Sequence, residues 1–182
     1  LAETPDGTIW ARADHGTLFR CTPDKLEAFS APDALAGQPV YSLYADASGT
    51  LWAGTFRGGL LRFKNGKFSR IGAKQGLPMD VISQIQEDRH GRLWLGTHQG
   101  ICCVDKAALN ACADGRVVSV DYVAYSRHDG LPALECSDGY QPASWHGPDG
   151  KLWFTTVRGV VWVDPDELTA KSPPPSVRVE EF

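Results

Sequence analysis

His15, Arg57, Gln99 and Arg158 each stand five residues after a tryptophan, and all four side chains are polar. Guanidiniums and an amide at matching positions of a repeat suit an anionic or sugar-like ligand, because each arginine can donate paired hydrogen bonds. The simpler explanation is that these are loop tips, polar because they meet water. Trp145 and Tyr140 are large faces on which a sugar could stack, or else core aromatics. Catalytic arrangements are missing from the sequence: it holds no Gly-x-Ser-x-Gly elbow, no His-Glu-x-x-His, no phosphate-cradling glycine loop and no calcium-loop carboxylates. Asp14 with His15 and His128 with Asp129 are adjacent pairs, but neither has a visible nucleophile.

The elements that carry these residues follow from the tryptophans themselves. Trp10, Trp52, Trp94 and Trp153 are separated by 42, 42 and 59 residues. A glycine lies three residues before each (Gly7, Gly49, Gly91, Gly150) and another six after (Gly16, Gly58, Gly100, Gly159). A fixed period near 40 residues signals a stack of like supersecondary units. Within the third unit, Val81 to Gln86 reads as a strand, Glu87 to Gly91 as a polar turn that Asp88 can cap, and Arg92 to Thr97 as a second strand. His98-Gln99-Gly100 is a tight hairpin and Ile101 to Val104 a third strand. In the second unit, Asn65-Gly66 joins the third and fourth strands.

Four short antiparallel strands per unit make one blade of a β-propeller, so the fold class is all-β. Blades are covered on both faces, which explains apolar residues on both sides of the pleat. Each tryptophan is expected as a wedge between neighbouring blades, with Gly54 and Gly96 as points of close approach. The boundaries are a partial blade at 1–36, a blade at 37–75, a blade at 76–126, a last blade at 127–165, and a linker at 166–182. An insertion at 105–116, with a short helical turn, accounts for the longer third spacing, and Val117 to Val123 resumes as the outer strand. That gives about three and a half to four blades, so the arc is part of a larger ring or is closed by oligomerisation.

Composition supports a packed domain, with 42% hydrophobic residues. A net charge of −4 with no basic run argues against nucleic acid as a partner. No apolar stretch approaches the ~20 residues of a membrane-spanning helix. The chain starts at Leu1, as a piece of a longer or processed protein would. Five cysteines (Cys21, Cys102, Cys103, Cys112, Cys136) without a C-x-x-C spacing offer no zinc site, and no metal or cofactor is expected. Cys102 or Cys103 can bridge to Cys112 in an oxidising compartment; otherwise the thiols are small buried hydrophobes.

The units resemble the two-component regulator propeller repeat, a Gly-Leu-Pro lead-in, a strand, Asp-x-x-Gly-x-Leu-Trp and then Gly-Thr-x-x-Gly-Leu. Gly76-Leu77-Pro78 and Gly130-Leu131-Pro132 match its lead-in, and Asp46 to Thr55 and Asp88 to Thr97 match its centre. The resemblance implies an extracytoplasmic, periplasmic ligand-sensing segment of a membrane-anchored bacterial signalling protein, without catalysis of its own. Its histidine kinase or diguanylate cyclase output would lie in another domain, and Pro173 to Glu180 would open a following immunoglobulin-like domain. The implied partners are a small-molecule or glycan ligand at His15, Arg57, Gln99 and Arg158, and either further blades or a second copy. The alternatives are a dimerisation scaffold and a lyase-type propeller enzyme.

Overall fold

The computed structural model describes residues 1–13, 17–30, 38–138 and 142–167. His15, Asp14, Tyr140 and the proline-rich stretch through Glu180 lie outside the described residues. The described strands form four antiparallel sheets, each a simple meander. The first holds β1 (Ala2–Glu3), β2 (Ile9–Arg12), β3 (Thr17–Thr22) and β4 (Lys25–Ser30). The second holds β5 (Val40–Ala45), β6 (Leu51–Thr55), β7 (Leu60–Lys64) and β8 (Lys67–Ile71). The third holds β9 (Ile82–Glu87), β10 (Arg92–Thr97), β11 (Gly100–Asp105) and β12 (Tyr122–Tyr125). The fourth has three strands among the described residues, β13 (Ser144–His146), β14 (Leu152–Thr156) and β15 (Gly159–Val163). These are propeller blades.

Local chemistry sets each turn. Asn65 and Gly66, between β7 and β8, have φ of 52° and 74°, the left-handed pair whose twist matches the flanking strands. Gly54 faces the next blade so closely that an added Cβ would come within 2.4 Å of the Ile82 carbonyl oxygen. This is the close approach its place in the repeat predicts.

Packing between blades repeats a single design. Trp10 of the first blade packs into a core with Val40, Leu43, Leu51 and Ala53 of the second. Trp52 meets Ile85, Leu93 and Leu95 of the third, and Trp94 meets Leu152, Phe154 and Val163 of the fourth. The tryptophan face of each sheet is therefore directed at the following blade, and the Leu-x-Leu face at the preceding one. Burying one such large side chain contributes roughly 2–3 kcal/mol, so three wedges dominate the cohesion of the arc.

Two expectations need correction. Trp153 is only half-buried, unlike its three counterparts, because no described sheet follows the fourth to cover it. Strand structure on the outer edge of the third blade is confined to Tyr122–Tyr125, whereas Val117 to Asp121 lie outside it. In that stretch Val118 is exposed, while Val120 is buried and its N–H donates to the Gln75 carbonyl at 2.9 Å. A tertiary contact thus overrides the β-branched propensity of the run. Of the two readings of the cysteines, the structure has the small buried hydrophobes: all five are free thiols, and four of them are buried. Cys102 and Cys112 are packing residues of one core.

The insertion forms α1 (Lys106–Ala113), capped by Asp105, whose side chain accepts from the Ala108 N–H at 2.8 Å. Although α1 belongs to the third blade, it grips the second. Arg62 of β7 donates to the Asn110 carbonyl at 3.2 Å and Asn110 Oδ1 at 2.9 Å, and pairs with Asp114 at 2.5 Å. Lys106 pairs with Glu87 at 2.5 Å and with Asp46 at 3.5 Å.

Candidate functional site

The turn before each buried tryptophan is organised by one carboxylate. Asp46 Oδ1 accepts from the Ser48 and Thr50 N–H groups at 2.9 and 3.0 Å, and its Oδ2 accepts from Trp52 Nε1 at 3.1 Å. Asp88 does the same for His90, Arg92 and Trp94 at 2.9, 3.0 and 2.7 Å, and adds a 2.6 Å ion pair to Arg92. Burial, the largest influence on both carboxyls, opposes ionisation. The hydrogen bonds from Ser48 and Trp52 at Asp46, and from Trp94 and Arg92 at Asp88, outweigh it and hold both below the usual carboxylate range. The sequence reading saw Asp88 as a turn cap and missed the indole bond. Its signal was an aspartate six residues before Trp52 and Trp94, replaced by Thr4 before Trp10 and by Gly147 before Trp153.

The opposite rim carries the predicted ligand residues. Arg57, Gln99 and Arg158 are exposed on the hairpins β6–β7, β10–β11 and β14–β15, and His15 lies outside the described residues. Loops that lead into the next blade share this rim: the Cys136 N–H donates to the Thr97 carbonyl at 2.9 Å, and Phe56 bridges to Val81. Arg57 is held at φ 77°, a left-handed conformation rare for a non-glycine residue. Its guanidinium lies 4.8 Å from the Phe56 ring centre, and that ring lies 5.6 Å from Tyr41. Burial, then the charge of Asp138, lifts the Tyr41 phenol above its ordinary range, against the pull of Arg12 and Arg57. Asp138 in turn lies 3.0 Å from His98 Nε2, beside Gln99. The rim therefore gathers Arg12, Tyr41, Phe56, Arg57, His98 and Asp138. Among the described residues, no hydrogen bond or ion pair joins Arg57, Gln99 and Arg158 to one another.

Between the innermost strands lies a cavity of about 390 Å³, bounded by Ser42 to Tyr44 of β5, Ser83 to Gln86 of β9, Pro142 to Ser144 at β13, and Leu1. Gln84 Nε2 donates to the Ser137 and Thr155 carbonyls, both at 2.8 Å, and so ties the third blade to the fourth. Its Oε1 is buried without a partner among the described residues, and so is Ser42 Oγ. Gln86 Nε2 donates to Ser144 Oγ at 2.9 Å. Among the described residues, no group of three or more His, Cys, Asp and Glu side chains is placed to hold a metal ion. No helix among them is long and apolar enough to cross a membrane.

Comparison with known proteins agrees with this architecture. Residues 34–57 and 76–99 match the two component regulator propeller family. No curated protein matches the chain. Among solved structures, the chain is similar to the extracellular domain of a protein assigned to the hybrid two component systems of B. thetaiotaomicron. The identity there is 22% and the TM-score 0.71, covering 91% of this chain and 21% of that one. A second extracellular domain from the same organism, assigned to a one component system, gives 17% identity and a TM-score of 0.62, covering 99% and 24%. Virginiamycin B lyase from Staphylococcus aureus gives 16% and 0.59, covering 89% and 53%. At these identities the likeness is one of fold. The chain spans about a fifth to a quarter of the two extracellular domains and about half of the lyase. The matched segments include the Asp46 turn with Trp52 and the Asp88 turn with Trp94, so two stretches of the chain are similar to the two component regulator propeller repeat.

Proposed function

We propose that the chain is an extracytoplasmic, ligand-sensing propeller segment of a membrane-anchored bacterial signalling protein, with no catalysis of its own. The observation that carries this reading is the rim on which Arg57 stands. There Arg57 is fixed in a left-handed conformation over Phe56, with Tyr41, His98 and Asp138 gathered on the same rim. Guanidinium donors on the rim suit a glycan or small anion held through paired hydrogen bonds. The likeness to extracellular domains of signalling systems supports the placement outside the cytoplasm. In this reading His15, Gln99 and Arg158 extend the contact surface around the rim, and the kinase or cyclase step belongs to another part of the polypeptide.

The test is a thermal-shift and calorimetric screen of soluble oligosaccharides and small anions against the purified chain. Binding raises the melting temperature by mass action, and Arg57→Ala removes the rise while leaving the unliganded melt in place. A screen without a binder, or a binder indifferent to Arg57→Ala, rejects the site. A second reading, a scaffold that works through subunit contact, is favoured by one observation, the uncovered tryptophan face of the fourth sheet.

A further inference from the structure

The β6–β7 hairpin is one residue longer than the β10–β11 and β14–β15 hairpins. Thr55 Oγ1 donates to the Gly59 carbonyl four positions on at 2.8 Å, whereas Thr97 and Thr156 reach Gly100 and Gly159 three positions on. The longer loop holds Arg57 at positive φ, and neighbouring segments tie it down. Arg70 Nε donates to the Gly58 carbonyl at 2.7 Å, and the Gly59 N–H donates to the Asp80 carbonyl at 2.8 Å. A second irregularity lies beside this loop. Val40 pairs with Thr55 and Ser42 with Gly54, so Tyr41 is the extra residue of a β-bulge, a device that re-aims a side chain. The matching bulge of the third blade carries Ser83, whose buried hydroxyl donates to the Gly96 carbonyl at 3.1 Å. There the bulge serves packing with a small donor, whereas Tyr41 stays half-buried at the rim.

We propose that Tyr41, Phe56 and Arg57 form a ledge that binds a carboxylate carried on a small ring. Arg57 lays its guanidinium over the Phe56 ring, 4.8 Å from the ring centre, which leaves the edge N–H fork free for a bidentate pair with a carboxylate. Among the described residues that guanidinium has no ion pair or hydrogen bond; only the Arg57 carbonyl is engaged, by Arg70. The Phe56 and Tyr41 rings, 5.6 Å apart and tilted by 47°, make a two-ring surface for the apolar face of the carrier. The Tyr41 hydroxyl, which has no hydrogen-bond partner among the described residues, donates to the bound carboxylate. This assignment rests on the rim being the ligand site, and it adds the acidic group of the ligand and the part played by Tyr41.

The charges around the ledge favour a guest with one negative charge. After burial, the largest influence on the Tyr41 phenol, come the charges of Asp138, Arg12 and Arg57, so all three bear on the same spot. The two guanidiniums draw an anion in, while Asp138 penalises a second negative charge on it. A monoanionic carboxylate fits this balance better than a dianionic phosphate. The carrier is a sugar acid or an aromatic acid, since both set an apolar ring face beside a carboxylate.

Isothermal titration of the full chain at pH 8 with glucuronate and with benzoate tests it. Glucose and benzyl alcohol serve as the neutral counterparts, and inorganic phosphate as the dianion. At least one acid is expected to bind about 10-fold or more tighter than its neutral counterpart and than phosphate, and the acid that binds names the carrier. Arg57→Lys keeps the charge but loses the fork, and weakens binding about 10-fold. Tyr41→Phe keeps the ring and removes one hydrogen bond to a charged group, which also costs about 10-fold, with the melting temperature unchanged. Acid binding that is lost in Arg57→Ala but intact in Tyr41→Phe overturns the part given to Tyr41 and leaves the rim standing. Tighter binding of phosphate or of a neutral probe overturns the carboxylate. If no probe binds, the ledge is overturned, whereas the rim falls only when the wider screen of oligosaccharides and anions is empty too.

Discussion

Trp94 Nε1 donates to Asp88 Oδ2 at 2.7 Å, joining a buried indole to a buried carboxylate six residues earlier. One contact thus fixes both the turn and the wedge that turn presents to the next blade. Asp88→Ala strands the indole N–H and two turn N–H groups, and costs about 3 kcal/mol in urea or thermal unfolding. The reverse change is open at Gly147, where Trp153 Nε1 is buried without an acceptor among the described residues. Its backbone has no left-handed φ, and an added Cβ would chiefly displace the Asp149 carboxylate, the mobile end of a side chain. Gly147→Asp is expected to stabilise the last blade by about 1 kcal/mol, read as a higher melting temperature.

Acid should dismantle these turns first. Asp46 and Asp88 are both depressed in the folded chain, so they bind protons more readily unfolded. Their contribution is full above the unfolded carboxylate value of about 3.9 and is lost as pH falls through the lower folded values. Urea midpoints should therefore drop steeply below about pH 4. Asp88→Asn, already neutral, should lower the midpoint at pH 7 and flatten its acid limb.

Thiol chemistry should be silent in four of the five cysteines. Burial pushes Cys103 and Cys136 up to about 12, and it raises Cys102 and Cys112 as well. Cys21 is half-buried on the open face of the first sheet. At dilutions where the chain is monomeric, a disulfide reagent at pH 8 should modify one thiol and reach the others only on unfolding. Rapid modification of more than one would contradict the burial described.

Glycines at equivalent points of the repeat should differ in tolerance. At Gly54 a new methyl meets the Ile82 carbonyl at 2.4 Å, and backbone cannot step aside cheaply. At Gly96 the nearest atoms are side-chain atoms, Gln84 Cβ at 3.0 Å and Cys136 at 3.2 Å. Gly54→Ala is expected to cost about 3 kcal/mol and Gly96→Ala roughly half that, compared by chemical denaturation.

The period of the tryptophans made the fold legible, because one indole per blade is what a radial stack requires. Asn65-Gly66 revealed its turn for a local reason, left-handed φ at both positions. Trp153 misled because its neighbours in sequence match the repeat while its burial depends on a sheet that the described chain does not supply. The run from Val117 carries strand propensity, but the Val120 contact with Gln75 is made across the fold and leaves no local mark. The rim was legible only as a row of polar tips. Arg57 standing over Phe56 depends on a left-handed backbone at an arginine, and Asp138 held by His98 depends on loops from different blades, neither of which spacing along one blade reveals.

The strap from α1 to Arg62 has a consequence for how such a gene can change. Most arrays of like units gain or lose members singly, because each touches only its neighbours through a generic surface. Here Arg62 and Asn110 bind two particular units to each other. Recombination could therefore lengthen or shorten the array at its flanks, whereas a cut between these two would orphan a buried guanidinium, and the pair should be inherited as a single block.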